Sequence, residues 1–230
     1  MTNKISVIIT AAGSSSRMKS NINKLFLKVD ENDTVIEKTL KAFIGFDNIV
    51  EIILVTKKEF FDKFLKIKKS LPLNIKLVEG GNSREVSTFN GLLAVCEQSQ
   101  YVLCHDGARP LVSKDNILKV INELSNFDAV ITAVKAKDTM KLVTEKNEVI
   151  KTLDRRFLYN VQTPQAFKKE LILKAYKKYF ENSFFVTDDS SVVEDFTKVI
   201  KVVEGDYSNI KVTTQEDIVY IREILKRGAI

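Results

Sequence analysis

Tryptophan is absent from this chain of 230 residues, histidine occurs once and cysteine twice. Each shortage removes a class of function. No apolar run is longer than a strand, so none is expected to span a bilayer. The amino terminus shows no cleavable leader pattern, and the expectation is a cytoplasmic protein without a membrane partner. Cys96 and Cys104 make no paired metal motif and read as buried, reduced thiols. The lone histidine, His105, belongs to no convincing Ser-His-Asp or Cys-His set and reads as a packed spacer rather than a proton shuttle. Two familiar phosphate loops are missing as well. The dinucleotide fingerprint needs G-x-G-x-x-G and an acidic residue closing the second strand, which here ends Val55-Thr56-Lys57-Lys58. The run G-x-x-x-x-G-K-[ST] occurs nowhere.

What is present is the composition of a soluble globular protein, 44% hydrophobic and 29% charged. The length fits one domain, 1–230, with a modest excursion. A net charge of +6 suits anionic partners. However, Lys66, Lys68, Lys69, Lys168, Lys169, Lys177 and Lys178 are spread over several apparent helices, and tryptophan is lacking. That is a solvated surface, and no nucleic-acid partner is expected.

The informative stretch lies near the start. Ile5, Val7, Ile8 and Ile9 form a β-branched apolar run suited to a strand buried on both faces. It breaks into Thr10-Ala11-Ala12-Gly13-Ser14-Ser15-Ser16-Arg17-Met18. Small side chains let a ligand approach the backbone, Gly13 has access to angles other residues avoid, and Arg17 adds a fixed charge. This reads as a polyphosphate cradle, although an ordinary small-residue turn has the same composition. The loop partly resembles the signature of sugar-nucleotide pyrophosphorylases and related cytidylyltransferases, with Ser15 where a second glycine is usual.

Strand and helix then alternate. Lys24 sits in a short apolar stretch from Asn21 to Val29, and Thr34 can cap a helix with Ile36, Leu40 and Ile44 on one face and Phe43 beside them. Strands are expected at Ile49–Thr56, Ile75–Val78, Tyr101–Cys104, Ala129–Val134 and Val199–Val203. Helices separate them, one with Phe60, Phe64, Ile67 and Leu71 inward and one capped by Ser83 or Asn82 and running to about Cys96. Others cover about Lys114–Leu124 and Lys169–Phe180, another opens at Thr187-Asp188-Asp189, and a last one starts with a Thr213/Glu216 capping box. Thr139–Val143 and Val149–Leu153 read as a hairpin around Thr144–Glu148. The fold expected is α/β, a Rossmann-like, mostly parallel sheet with helices on both faces and a protruding β-hairpin arm at about 138–155. A lone hairpin is marginal in water, so the arm should pack on something, such as a second copy of the chain.

Polar clusters recur where strands end: Gly13 to Arg17, Gly80 to Arg84, and His105 to Arg109. In an open parallel sheet those ends are where ligands bind. Together with Asp138-Thr139, Asp154-Arg155, Thr163-Pro164-Gln165, Thr187-Asp188-Asp189 and Asn209-Ile210-Lys211-Val212-Thr213, these motifs closely resemble the 2-C-methyl-D-erythritol 4-phosphate cytidylyltransferase family. The likeness is collinear over essentially the whole chain. It departs at Ser15, at Asn82 (where an acidic residue can occur), and at Asn23-Lys24-Leu25, where the family usually has Pro-Lys-Gln.

The resemblance implies transfer of CMP from CTP to 2-C-methyl-D-erythritol 4-phosphate, giving 4-diphosphocytidyl-2-C-methyl-D-erythritol and pyrophosphate, with Mg²⁺ as cofactor, in non-mevalonate isoprenoid synthesis. By similarity, Arg17 and Lys24 would stabilise the transition state, and Arg155 and Lys211 would hold the attacking phosphate. Ala11, Ala12, Gly13, Gly80, Gly81, Asn82, Arg84 and Ser87 would bind CTP, though Arg84 and Ser87 could serve only in capping a helix. Asp106, Arg109, Thr139, Thr163 and Thr187 would contact the polyol phosphate, and Asp106 would help place a Mg²⁺ held mainly by phosphates. Asp106 could equally be a turn former, and Asp188 and Asp189 read first as a cap and favourable charge at a helix start. The likeness also implies a homodimer whose arm reaches the neighbouring site. The rival readings are a ribitol-5-phosphate cytidylyltransferase and a non-catalytic nucleotide-binding protein on the same fold.

Overall fold

The computed structural model describes residues 3–13, 23–182 and 185–228. Arg17, with the rest of 14–22, lies outside the described residues. In chain order the elements are β1 (Ile5–Thr10), α1 (Val35–Lys41), β2 (Ile49–Thr56), α2 (Phe61–Ser70), β3 (Ile75–Glu79), α3 (Arg84–Leu93), β4 (Tyr101–Asp106) and α4 (Lys114–Glu123). Then follow β5 (Ala129–Lys135), β6 (Lys141–Val143), β7 (Val149–Thr152), β8 (Tyr159–Lys168), α5 (Lys169–Asn182), α6 (Asp189–Val193), β9 (Lys201–Glu204) and α7 (Gln215–Lys226).

The sheet has seven strands in the order β3-β2-β1-β4-β8-β5-β9. Only β8 runs antiparallel to its neighbours. β1 lies between β2 and β4, and the strand order reverses direction there. The carboxyl ends of β1 and β4 therefore open onto a crevice, the place where such sheets hold ligands. Alternation along β1 explains its unbroken apolar run. Ile5, Val7 and Ile9 join a core with α1, α2, α4 and α7, whereas Ile8 joins a second core with α3, α5 and α6 on the other face. Each such fully buried side chain contributes about 1.5–3 kcal/mol relative to exposure.

The β8 strand departs from expectation. Its middle, Gln162-Thr163-Pro164-Gln165, has a proline and three polar residues, the composition of a loop. Pro164 is tolerated because the ladders are broken around it. Pairing with β4 ends at Cys104 and Gln165, and the register with β5 shifts between Ile131 and Ala133. Thr132 Oγ1 donates to the Pro164 carbonyl at 2.9 Å across that gap. The expected six-strand sheet thus becomes seven, and the last strand starts at Lys201 rather than Val199.

Other corrections are local. The last helix is capped one residue later than expected: the Asp217 carboxylate, not that of Glu216, accepts the backbone N–H groups of Thr213 and Thr214. Helix α3 ends at Leu93 and takes its cap from Ser83, whose Oγ accepts from Val86 N–H at 3.2 Å. In α1, Phe43 rather than Ile44 turns fully inward just past the helix end. The cysteines are unpaired, Cys104 buried and Cys96 half-buried against Ser99 Oγ at 3.2 Å.

The hairpin forms its own two-stranded sheet of β6 and β7, every residue of it exposed. Its turn is closed by Thr144 N–H donating to the Glu148 carbonyl at 2.9 Å, with Asn147 at φ 62°. Asparagine is one of the few residues that tolerate that angle. No helix among the described residues is long and apolar enough to cross a membrane.

Candidate active site

The crevice holds a cavity of about 540 Å³. Its floor is Thr10, Ala11, Ala12 and Gly13 after β1, and one wall is Gly81 to Arg84 with Ser87. These loops are locked closely together. Ala11 N–H donates to the Val55 carbonyl at 2.7 Å and Gly80 N–H to the Thr56 carbonyl at 2.8 Å. A Cβ on Gly80 would lie 2.5 Å from Ala12 Cβ, and one on Gly81 would lie 2.1 Å from Val86 Cγ1. Glycine is therefore required at both positions for approach, not for a special angle. Gly13 differs from expectation: its φ is not in the left-handed region, and an added Cβ would meet nothing within 4 Å. Ser87 Oγ accepts from Gly81 N–H at 3.1 Å and donates to the Ser83 carbonyl at 2.8 Å, so it braces this loop.

Lys24, Lys57, Arg84 and Lys211 line the cavity, against the single carboxylate of Asp106 among the described lining residues. The field favours a polyanion. Lys24 opens a short 3₁₀ turn capped by Asn23, whose Oδ1 accepts from Leu25 N–H at 3.1 Å. Asn23 Nδ2 also donates to the Gly13 carbonyl at 3.4 Å, tying the turn to the loop after β1. Lys24 Nζ donates to the Val212 carbonyl at 2.7 Å, next to Lys211.

A second cavity of about 480 Å³ adjoins the first and shares Arg84, Asp106 and Lys211 with it. Its remaining walls include Arg109, Gln162, Thr163 and Gln165 and the hydroxyls of Thr187, Ser190 and Ser191. Asp106 sits at the hub. Arg109 Nε donates to its Oδ2 at 3.0 Å and Lys211 Nζ to its Oδ1 at 3.1 Å. Burial alone would raise its pKa, but Lys211, Arg109 and Arg84 together hold it below the usual carboxylate range. Arg109 also donates to the Asn209 carbonyl at 2.7 Å, so the loop after β4 and the segment before α7 form one unit.

Behind Asp106 the wall is fixed by His105 and Thr163. Burial pushes the His105 pKa down to about 4, so the ring is neutral at pH 7. Its Nε2 lies 3.3 Å from the Arg109 carbonyl, which requires the proton on that nitrogen and leaves Nδ1 as an acceptor. Thr163 Oγ1, 3.0 Å away, donates to Nδ1 and accepts the Asp106 backbone N–H at 3.0 Å. The Thr163 hydroxyl thus braces Asp106 from within the wall, and His105 is the packed spacer expected of it.

Asp188 caps α6 as expected, accepting Ser191 N–H at 2.9 Å, and its Oδ2 also accepts from Gln165 Nε2 at 2.8 Å. Asp189 departs from expectation. It does not serve the helix start as a solvated charge but is 1% exposed and paired with Arg84, Nη2 to Oδ2 at 2.6 Å. Arg84, in turn, is no helix cap.

The structure thus brings together Ala11, Ala12, Gly13, Lys24, Gly81, Asn82, Arg84, Ser87, Asp106 and Lys211 around the first cavity. Gly80 stands just behind its wall, and Arg109, Thr163 and Thr187 line the second. Thr139 and Arg155 are exposed and line neither cavity within this chain; Arg155 Nη1 donates to the Lys137 carbonyl at 2.8 Å. Arg17 lies outside the described residues. Sequence reasoning misses Lys57, although it follows β2 directly, a strand end like the others. Gln165 belongs to the Thr163-Pro164-Gln165 motif but carries no assigned role there, and Gln162 stands out only as a polar residue buried in a strand.

A family model described as 2-C-methyl-D-erythritol 4-phosphate cytidylyltransferase matches residues 5–227. A curated protein of that name from Caldanaerobacter subterraneus subsp. tengcongensis is 41% identical over 231 residues, spanning 97% of this chain and 99% of its own. Another from Alkaliphilus oremlandii is 41% identical over 226 residues, covering 97% and 95%. Among solved structures, 4-diphosphocytidyl-2C-methyl-D-erythritol synthase from Anaerococcus prevotii aligns with a TM-score of 0.88 at 44% identity, covering 98% of this chain and 97% of that one. The Francisella tularensis cytidylyltransferase aligns at 0.78 with 33% identity, covering 95% and 98%. With the sheet, the crevice and these likenesses in agreement, the chain belongs to the 2-C-methyl-D-erythritol 4-phosphate cytidylyltransferase family of nucleotidyltransferases.

Proposed function

We propose that the first cavity takes CTP and the second takes 2-C-methyl-D-erythritol 4-phosphate, and that CMP passes between them at their shared wall. The products are 4-diphosphocytidyl-2-C-methyl-D-erythritol and pyrophosphate, in the non-mevalonate route to isoprenoids. The observation that carries this reading is the wall itself, since Arg84, Asp106 and Lys211 face both cavities.

The chemistry needs no general base. A phosphate monoester has a second pKa of about 6 and arrives largely ionised. The barrier lies in bringing two anions together and in stabilising charge at the α-phosphorus, so positioning and electrostatics dominate. Gly80, Gly81 and Ser87 shape the pocket for the cytosine, with Ala11, Ala12 and Gly13 beneath the nucleotide. Lys24 and Arg17 stabilise the transition state, and pyrophosphate leaves as an anion needing no proton. Lys211, held by Asp106, meets the attacking phosphate in line. The diol end lies among Thr163, Thr187 and Asp106, with Arg109 keeping Asp106 ionised and in place.

Mg²⁺ fits this site only as a phosphate-bound ion. Asp106 is the one described carboxylate lining the first cavity, and its oxygens already accept from Lys211 and Arg109. When bound, Mg²⁺ neutralises triphosphate charge. Two copies of the chain pair through the arm, whose Leu142, Val143, Val149 and Ile150 are exposed within one copy. The dimer works in the cytoplasm.

The test is pyrophosphate release by the purified protein with Mg²⁺. CTP with methylerythritol phosphate should give turnover, and UTP, ATP or ribitol 5-phosphate much less. Equal or faster turnover with ribitol phosphate would overturn the substrate and leave the nucleotide half standing.

A further inference from the structure

Of the three residues facing both cavities, Asp106 and Lys211 pair with each other, whereas Arg84 is paired deeper in the molecule. Its guanidinium makes two parallel bonds, Nη1 to Asp189 Oδ1 at 3.0 Å and Nη2 to Oδ2 at 2.6 Å. Asp189 lines neither cavity and is 1% exposed. Its Oδ1 also accepts the hydroxyl of the fully buried Tyr176 at 2.5 Å. One network therefore joins α3, whose first turn borders the first cavity, to α6 beside the second, with α5 supplying the brace.

Stability does not explain this arrangement. The desolvation cost of a buried ion pair offsets its attraction, and an apolar pair of similar volume is commonly as stable or more so. What a two-point fork supplies is orientation, because it fixes the guanidinium plane. The N–H groups not spent on Asp189 are left for the cavities. The shared wall is also where the incoming phosphate meets the α-phosphate, so negative charge concentrates there. We propose that Asp189, braced by Tyr176, is a positioning residue that aims Arg84 at both substrates across the wall. Loosening it weakens CTP and the polyol phosphate together, although Asp189 touches neither. This inference rests on the assignment of the two cavities made above.

The test is steady-state kinetics on the full chain, varying each substrate in turn well below the melting temperature. Tyr176→Phe, Asp189→Asn and Arg84→Lys are compared with wild type and with Lys66→Ala on the exposed face of α2. Asp189→Asn should raise KM for both substrates and lower kcat/KM by on the order of a hundredfold, the cost of misplacing a reacting group by about an ångström. Arg84→Lys keeps the charge but not the fork and should be impaired for both substrates too. Tyr176→Phe should raise both KM values by a few fold. Should Asp189→Asn fail to fold, Tyr176→Phe decides, since it keeps the ion pair and loses one hydroxyl. A merely structural pair would lower Tm and leave both KM values unchanged in every folded variant, which overturns the proposal. A rise in one KM alone overturns it as well, because Arg84 would then serve one cavity. An inactive wild type would instead sink the assigned reaction, and this inference with it.

Discussion

At the scale of single residues, the site is a set of cations whose partners are already chosen. Lys24 is tied to the Val212 carbonyl, Lys211 to Asp106 and Arg84 to Asp189. If Lys24 faces the triphosphate as proposed, Lys24→Ala removes a fixed charge from the first cavity and should lower kcat by roughly a hundredfold, the scale of losing one preorganised transition-state partner. Lys66→Ala should be silent. A folded Lys24→Ala enzyme with near-normal kcat would remove Lys24 from the mechanism. His105 makes a different prediction, about stability. Its pKa falls from the ordinary 6.5 to about 4 through burial, so the unfolded chain takes up the proton first as pH drops. Stability from this group is complete above pH 6.5, and it is lost progressively as pH falls toward about 4. Asp106 adds a loss at lower pH, because its pKa is depressed below 3.8 and its stabilisation fades as pH falls under that value. Thermal melts of wild type and His105→Asn between pH 7 and pH 4.5 separate the two. The wild-type Tm should fall more steeply across that window, and parallel slopes would show that His105 does not titrate as argued.

At the scale of elements, the crevice exists because the β1 and β3 loops interlock. Gly80→Ala places a methyl 2.5 Å from Ala12 and 3.0 Å from Ser87 Oγ. One of the loops must give, so the variant should lose about 1–3 kcal/mol of stability, the usual cost of overpacking, and lose CTP affinity as well. Chemical denaturation and calorimetric CTP binding measure the two effects. Wild-type affinity in a destabilised variant would separate the loop packing from the nucleotide pocket. Much of this geometry was legible in the chain. The apolar run of β1 announces burial on both faces, and three polar strand ends point to one edge of a parallel sheet. What stayed hidden obeys longer-range rules. Gln162, Thr163 and Gln165 look like loop residues until the Asp206 carbonyl, Asp106 with His105, and Asp188 are respectively present to satisfy them in the middle of β8. Asp189 beside a capping Asp188 reads as more helix-start charge, and only tertiary structure shows that Arg84, 105 residues away, claims it. The shift of the last cap from Thr213/Glu216 to Thr214/Asp217 is a one-residue choice between two similar pairs that no local preference decides.

At the scale of the whole molecule, one copy of the chain leaves part of its expected machinery outside the site. Thr139 and Arg155 flank an arm that is exposed along its length and line neither cavity. A two-stranded ribbon this small has little stability of its own, and burial against a second copy would supply it. If the arm delivers Arg155 to the neighbouring copy while Lys211 serves its own, the two residues at any one site come from different chains. Arg155→Ala and Lys211→Ala enzymes should then be inactive separately and complement each other when co-refolded in equal amounts. Random pairing makes about half the dimers mixed, and each mixed dimer holds one doubly damaged site and one intact one, so about a quarter of full activity should return. Brief mixing of two preformed dimers should restore little, because recovery requires exchange of subunits. Native mass spectrometry of the refolded sample gives the fraction of mixed dimers directly, which separates failed pairing from failed complementation. If mixed dimers form in the expected proportion and stay inactive, Arg155 and Lys211 act within one chain. The arm would then hold the copies together without contributing to the chemistry across the interface.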